Sequence, residues 1–207
     1  MVVIQATRVQ AQVAAERARD ILRATEELGD LARASRERLV GRLRIGVIPT
    51  VAPYLLPSVV GALTRSYPEL DIHVRETVTP NLIDELDEGR LDTAIVALPV
   101  SEGTLAETAL FSERFVLVRS AREANAPMPS ADSLREMRLL LLEEGHCFRD
   151  QALSFCNLQS GPPREVLDAS SLSTLVQMVS AGMGVTLIPE MAVPVETRSA
   201  SVAISRF

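Results

Sequence analysis

Two cysteines lie close together in the segment EEGHCFRDQALSFC, residues 143–156, of a chain of 207 residues. Cys147 follows His146, and Cys156 comes nine positions later. The spacing matches no four-ligand zinc pattern. Redox chemistry is the alternative, because a cysteine thiolate attacks peroxides. On spacing alone, two unrelated cysteines, one of them filling the core, is the competing interpretation.

The surroundings of Cys147 favour the reactive thiolate. His146 and Arg149 can supply positive charge beside it, and Gly145 allows a close approach of the backbone. The segment FRDQALSFC is predicted to be helical, which puts Cys147 at a helix amino terminus with its partial positive charge. Asp150 opposes this in charge, although it can pair with Arg149 and orient it. Cys147 is therefore the candidate nucleophile.

The distance between the cysteines predicts a structural change if they bond. In one helix their Cα atoms would lie about 13 Å apart, at ~1.5 Å per residue, whereas a disulfide tolerates at most roughly 7 Å. One helical face is shared by Phe148, Ala152, Phe155 and Cys156. We therefore expect Cys156 to start buried. Oxidation would pull it from its packing, which is how a local chemical change becomes a conformational switch.

Alternating strands and helices must position this segment. Strands are predicted at 43–48, 70–76, 91–98, 114–120, 139–144, 164–169 and 184–189. Helices are predicted between them, one with Pro53 near its first turn and one starting at Ser171. This alternation predicts an α/β fold with largely parallel sheets. The extended segments at 97–115 and 189–198 look like two strand crossings between two small lobes, which would leave a cleft between them.

Hydroxyl residues follow several of the predicted strands. They are Thr50, Thr77, Thr79, Ser170 and Ser171. Ligands of open α/β sheets bind where strands end and helix amino termini converge. A hydroxyl at such a junction is more commonly a helix cap. Convergence of several hydroxyls on one cleft would favour ligand binding over capping.

Residues 8–38 form a proline-free segment with small and apolar residues at spacings of three and four. This weak heptad pattern predicts a dimerising linker helix, with a solvated helix lying along its own domain as the alternative. The net charge is −6, which argues against this chain gripping nucleic acid by itself. No apolar run reaches the ~20 residues of a membrane span. A cytoplasmic protein is expected, where a permanent disulfide is unusual.

Longer segments resemble the effector-binding domain of LysR-type transcriptional regulators. They are LRIGVIPTVAPYLLP, SYPELDIHVRE, LIDELDEGRLDTAIVALP and SSLSTLVQMVSAGMGVTLIPEMAVP. The run GHCFRDQ, with its second cysteine, resembles the redox switch of the peroxide-sensing members. The resemblance implies a two-lobed, periplasmic-binding-protein-like (type 2) α/β domain. Its parts would be a linker helix at 1–40, lobe I at 41–113 and 190–207, and lobe II at 114–189.

The resemblance also implies roles for the residues. Peroxide would oxidise Cys147 to sulfenic acid, and Cys156 would resolve it to a disulfide. Thr50 and Thr79 would hold peroxide and water beside Cys147, with His146 nearby. The remaining candidate ligand residues are Arg149, Asp150, Ser170 and Ser171. No cofactor and no metal are implied.

The partners expected from the resemblance are those of a transcription regulator rather than an enzyme. They are a second copy of the chain in a homodimer or tetramer, hydrogen peroxide as effector, promoter DNA and RNA polymerase. Promoter DNA would be bound through a winged helix-turn-helix that this chain lacks, and the carboxyl end also looks truncated. Two alternatives stay open: a domain of the same family that senses a small organic anion in the cleft, and a thiol peroxidase. No membrane contact is expected.

Overall fold

The structure is a computed structural model that describes residues 13, 17, 18, 40–100, 103–129, 133, 134, 137–155 and 168–207. The predicted linker helix at 8–38 lies outside these residues, except that Val13, Arg17 and Ala18 are helical and exposed. Cys156 also lies outside them. Among the helices that are described, none combines the length and the apolar character needed to cross a membrane.

Strands and helices alternate along the described chain, which confirms the predicted α/β class. The strands are β1 (Gly41–Val47), β2 (Leu70–Glu76), β3 (Thr93–Ile95), β4 (Phe115–Ser120), β5 (Leu141–Leu142), β6 (Asp168–Ala169), β7 (Thr186–Pro189) and β8 (Val202–Arg206). The α-helices are α1 (Ala52–Ser66), α2 (Thr79–Asp87), α3 (Cys147–Phe155), α4 (Leu172–Ser180) and α5 (Val193–Glu196). Short 3-10 helices lie at Ala121–Glu123 and Glu190–Ala192.

The chain divides into two compact units, of which the smaller comprises residues 1–43 and 60–73. Its described part contains the first residues of β1, the end of α1 and the first residues of β2. The Asp71 carboxylate lies 2.8 Å from Nε2 of His73 and 3.5 Å from Nε of Arg42. The hydrogen bond from His73 is the main cause that lowers the pKa of Asp71.

The larger unit comprises residues 44–59 and 74–207. Within it, β1 pairs in parallel with β3, with Ile45 opposite Thr93, and β5 pairs in parallel with β6. In contrast, β4 lies between β7 and β8 and is antiparallel to both. The expectation of largely parallel sheets is therefore wrong for this sheet. Strand direction depends on the path of the chain between strands, which the apolar runs do not encode.

The main core of the larger unit lies around β4, β7 and α4. Its fully buried members include Leu117, Leu175 and Leu187. Helix α4 faces this core with its apolar residues at spacings of three and four, as expected for an amphipathic helix. A second, smaller cluster consists of Ile48, Leu82 and Leu91. The candidate cysteine packs against this smaller cluster.

The two segments that were predicted to cross between the lobes as strands, 97–115 and 189–198, do not form such strands in their described residues. Residues 97–100 and 103–114 form no strand. Residues 189–198 form a 3-10 helix followed by α5, whose first turn contains Pro194, a position that suits proline because its missing N–H would have no partner there. Strand β8 pairs with β4, so residues 202–206 share a sheet with the 114–189 segment rather than with 41–113. The lobe boundaries themselves remain a prediction.

Candidate functional site

Cys147 is the first residue of α3, which confirms the helix predicted after it. The turn before it contains Gly145 with φ of +92°, a left-handed conformation that favours glycine. The Cys147 side chain is half-buried and packs against the cluster of Ile48, Leu82 and Leu91. The thiol thus lies at a helix amino terminus and against apolar side chains.

The small cluster depends on a glycine in β1. A Cβ atom at Gly46 would lie 2.6 Å from Cδ2 of Leu82 and 2.7 Å from Cδ1 of Leu91. These distances are too short for carbon atoms, so any larger residue at position 46 would force both leucine side chains to shift. The close packing brings α2 down onto the strand, next to the segment that carries Cys147.

His146 is buried, with 7% of its surface exposed. Burial is the main cause that lowers its pKa below the ordinary value of 6.5, and the charge of Glu143 opposes that shift. The imidazole is therefore mostly neutral at pH 7. The lowered pKa argues against the expectation that His146 supplies positive charge to Cys147 at neutral pH.

Arg149 is held by the strand that precedes the turn. Its Nη1 donates a hydrogen bond of 2.7 Å to the carbonyl oxygen of Leu142, and its backbone N–H donates one of 2.9 Å to His146. These bonds fasten the first turn of α3 to the end of β5. Asp150, also in the first turn, is exposed. The first turn of α3 therefore contains one positively charged side chain, Arg149, and one negatively charged side chain, Asp150.

Thr50 lies in the turn between β1 and α1 and is only 4% exposed. Hydrogen bonds from Val51 and Ala52 to the carbonyl oxygen of Ile48 close this turn at 3.1 and 3.0 Å. No hydrogen bond of the Thr50 side chain to another described residue is found. Because Ile48 belongs to the small cluster, the turn places Thr50 near the apolar surface against which Cys147 packs.

Thr79 is the first residue of α2, and its hydroxyl oxygen is buried without a hydrogen-bond partner among the described residues. Val78 precedes it as the helix cap and provides no side-chain hydrogen bond. A Cβ atom built at Gly145 would lie 3.8 Å from Cγ2 of Val78, so the turn that leads to Cys147 packs against the start of α2. A buried unpaired hydroxyl is uncommon and requires an explanation, for which a small polar ligand is one.

The three junctions predicted to be polar behave differently. The turn with Thr50 and the start of α2 with Thr79 both adjoin the cluster that contacts Cys147. Ser171 instead caps α4, because its hydroxyl oxygen accepts a 3.2 Å hydrogen bond from the backbone N–H of Thr174. Ser170 is exposed. A role of Ser170 and Ser171 in ligand binding stays a prediction.

The geometry of α3 limits how the cysteines can bond. The helix runs from Cys147 to Phe155, so its terminal Cα atoms are about 12 Å apart at ~1.5 Å per residue. Cys156 is one residue further on, and adjacent Cα atoms are about 3.8 Å apart. The two cysteine Cα atoms are therefore at least about 8 Å apart, beyond the roughly 7 Å that a disulfide tolerates. Bond formation requires α3 to unwind in part.

The predicted apolar face of α3 is buried except at its end. Phe148 and Ala152 are buried, whereas Phe155 is 42% exposed. Cys156, which was expected to start buried, lies outside the described residues. The ring of Phe155 instead contacts the rings of Phe115 and Phe207, with centroids 5.7 and 4.6 Å away. Sequence reasoning missed these contacts. Phe115, Phe155 and Phe207 are far apart in the chain, so no local sequence pattern indicates these contacts.

Comparison with known proteins identifies one protein family. The LysR substrate binding domain matches residues 36–206. A probable hydrogen peroxide-inducible genes activator of Streptomyces viridosporus is 44% identical over 93% of this chain and 63% of its own length. The DNA-binding transcriptional dual regulator OxyR of Escherichia coli K12 is 41% identical over 88% of this chain and 61% of its own length. The chain thus spans about three fifths of these curated relatives.

Solved structures of similar proteins have the same fold. A cysteine-to-serine mutant of Corynebacterium glutamicum OxyR, bound to H2O2, aligns with a TM-score of 0.81 and 35% identity over 92% of this chain and 61% of that chain. The reduced regulatory domain of OxyR2 from Vibrio vulnificus aligns with a TM-score of 0.75 and 34% identity over 83% of this chain and 82% of that domain.

Proposed function

The chain belongs to the LysR substrate binding domain family, and from that membership we propose that it is a hydrogen-peroxide-sensing regulatory domain. The observation that carries the proposal is the half-buried Cys147, which packs against the small cluster that the Thr50 turn and the start of α2 also adjoin. Thr50 is buried, and the hydroxyl oxygen of Thr79 is buried without a partner among the described residues. Relatives that are named activators of hydrogen peroxide-inducible genes support the same effector.

In the proposed first step, peroxide binds between Cys147 and the hydroxyls of Thr50 and Thr79. Each hydroxyl can donate one hydrogen bond and accept others, so together they can orient a molecule that itself both donates and accepts. The Cys147 thiolate attacks one peroxide oxygen. The S–O bond forms as the O–O bond breaks, and the departing hydroxide takes up a proton to become water. The product is a sulfenic acid.

In the second step, the Cys156 thiol attacks the sulfur of the sulfenic acid. The S–S bond forms, the S–O bond breaks, and a second water leaves. Because α3 keeps the two residues too far apart, its carboxyl-terminal part must unwind for this step. A cellular dithiol reverses the disulfide by exchange, which suits a sensor in the reducing cytoplasm.

The rebuilt segment carries the signal to the rest of the regulator. As part of the proposal, the whole protein is a homodimer or tetramer that binds promoter DNA through a winged helix-turn-helix outside this chain and acts on RNA polymerase. A change in the α3 region would alter the surfaces through which copies of the domain associate. The domain works as a switch and not as a catalyst, because one disulfide per chain is the output.

The test is mass spectrometry of alkylated peptides after treatment with stoichiometric peroxide. The parent chain should form the 147–156 disulfide, together with faster hydrogen exchange at residues 145–160. Cys147→Ser should abolish both changes. Cys156→Ser should let Cys147 react but stop at the sulfenic acid and then over-oxidise, because no resolving thiol remains.

Two outcomes would replace the proposal. If both thiols of the parent chain stay free in peroxide, the sensor proposal fails, and an organic anion bound near Thr50 and Thr79 becomes the better account. If the chain consumes many equivalents of peroxide with a dithiol reductant at a steady rate, it is a thiol peroxidase.

A further inference from the structure

A partly buried hydrogen bond links the first turn of α1 to α5. The hydroxyl of Tyr54 donates a 2.6 Å hydrogen bond to Oε1 of Glu196, residues 142 positions apart in the chain. The other carboxylate oxygen of Glu196 accepts a hydrogen bond from the Ser173 hydroxyl in α4. Glu196 is thus held by α4 and in turn holds Tyr54.

Tyr54 terminates the turn that contains Thr50. The backbone N–H of Tyr54 donates a 3.1 Å hydrogen bond to the carbonyl oxygen of Val51, and the N–H of Ala52 donates one to Ile48. Residues 48–54 therefore form one connected series of turns. The start of this series is fixed to β3, because the N–H of Ile48 donates a 3.2 Å hydrogen bond to Ile95. Its other end is fixed through the Tyr54 side chain.

Tyr54 also connects the two apolar clusters. Its ring packs against the main core, whereas Ile48 and Val51 belong to or pack against the small cluster that contacts Cys147. Burial, followed by the hydrogen bond to Glu196, raises the pKa of the Tyr54 phenol. The phenol therefore stays protonated at all physiological pH values and remains a donor to Glu196.

We propose that Tyr54, anchored by Glu196, is a positioning residue that holds the Thr50 hydroxyl in place for the peroxide that reacts with Cys147. This inference rests on the proposed function, and it assigns no contact between Tyr54 and peroxide. Displacing a catalytic group by about 1 Å can slow the reaction by as much as 100-fold. Without the bond to Glu196, the turn is still followed by α1 and the Tyr54 ring still packs on the core, but one restraint is lost, so Thr50 should move by a fraction of that distance.

The main test replaces Tyr54 by phenylalanine in the whole chain. Tyr54→Phe removes the hydroxyl and keeps the ring, so the core packing should persist. We expect oxidation of Cys147 by hydrogen peroxide to slow by roughly 3- to 10-fold, within the range that small misplacements produce. Alkylation of Cys147 by iodoacetamide, which does not need the Thr50 hydroxyl, should keep the parent rate.

The chain offers a matched control in its second tyrosine, Tyr67, which follows the other end of α1. Tyr67→Phe should leave both rates at the parent values. A merely structural role of Tyr54 would change both rates together or lower the melting temperature without a selective loss of the peroxide reaction.

Variants of Glu196 keep the inference testable if Tyr54→Phe folds poorly. Glu196→Gln retains an acceptor for Tyr54 and should react with peroxide as the parent does, whereas Glu196→Ala should reproduce the selective slowing. Equal peroxide rates in the parent, Tyr54→Phe and Glu196→Ala would overturn the positioning role while leaving the sensor proposal intact. If Cys147 of the parent chain does not react with peroxide at all, the proposed function itself fails.

Discussion

The two ends of α3 are held in different ways. At its beginning, Phe148 is buried and Arg149 is hydrogen-bonded to the end of β5. At its end, Phe155 is 42% exposed and is held by contacts with the rings of Phe115 and Phe207. In the proposed function, the thiol that reacts with peroxide is thus the first residue of this helix, and the thiol that resolves it follows the exposed end in sequence.

This difference suits the proposed switch. A fixed amino-terminal end keeps Cys147 against the small cluster, where the peroxide-binding hydroxyls would lie. The carboxyl-terminal end must unwind before Cys156 can reach Cys147, and exposed ring contacts contribute less stability than buried ones because less apolar surface leaves water. The ring of Phe115 touches Phe148 as well as Phe155, with the first pair of centroids 5.0 Å apart. It therefore links the two ends.

The largest expected effect is on stability, and it separates the ends directly. Phe148→Ala should lower the free energy of unfolding by about 3–5 kcal/mol, as expected for a buried phenylalanine. Phe155→Ala should lower it by about 1 kcal/mol, the scale of an aromatic pair at the surface. Urea unfolding of both variants measures the difference. Equal losses would mean that the end of α3 is as firmly packed as its beginning.

The sequence predicted several local elements well. The strand at 70–76 and the helix after Cys147 have the expected positions, because apolar runs and helix-forming residues act over a few neighbours. The capping position of Ser171 was likewise visible, since a serine before an amphipathic segment is a local signal. The features that were predicted correctly are those determined by residues close together in the sequence.

Long-range features of the site were not predictable. The bond between Tyr54 and Glu196 joins residues 142 positions apart. The Thr79 hydroxyl has no partner among the described residues because none of their polar groups lies within hydrogen-bond distance of it, which depends on the three-dimensional fold. The lowered pKa of His146 follows from burial by the surrounding fold. The exposure of Phe155 at the end of an apolar face shows that periodicity identifies the face but not how far the core extends along it.

The second prediction concerns the hydroxyl at the fixed end. Thr79→Val removes a buried oxygen that has no partner among the described residues, so it should stabilise the fold by about 1 kcal/mol. The same change should slow peroxide oxidation of Cys147 by roughly 5- to 10-fold, the equivalent of one hydrogen bond. Thermal unfolding and thiol titration measure the two effects.

A threonine outside the site provides the control for Thr79→Val. Thr64 in α1 is exposed, and its hydroxyl donates a 2.9 Å hydrogen bond to the carbonyl oxygen of Val60. Thr64→Val should not stabilise the fold and should not change oxidation. If Thr79→Val oxidises at the parent rate, Thr79 plays no part in holding peroxide at the fixed end.

The third prediction concerns the exposed end. Phe207→Ala removes a ring that contacts Phe155 without altering α3 itself. Unwinding should become easier, so disulfide closure after sulfenic acid formation should accelerate by roughly 2- to 10-fold, the scale of one aromatic pair. Trapping the sulfenic acid with dimedone during peroxide treatment measures this step. Val195→Ala changes another exposed apolar residue and should leave the rate of disulfide closure unchanged. An unchanged lifetime of the sulfenic acid in Phe207→Ala would contradict the role of the ring contact.

The smallest effect expected is a pH dependence at the fixed end. Burial lowers the pKa of His146, whereas an unfolded histidine titrates near pH 6.5. As the pH falls through about 6.5, the unfolded chain binds a proton that folded His146 binds less readily, so the free energy of unfolding decreases.

His146→Gln should therefore flatten the decrease in stability between about pH 7.5 and 5.5. Glu143→Gln should steepen it, because the Glu143 charge raises the pKa of His146. Urea unfolding across this pH range measures the effect. If both variants lose stability with falling pH as the parent does, the pKa of His146 does not change on folding.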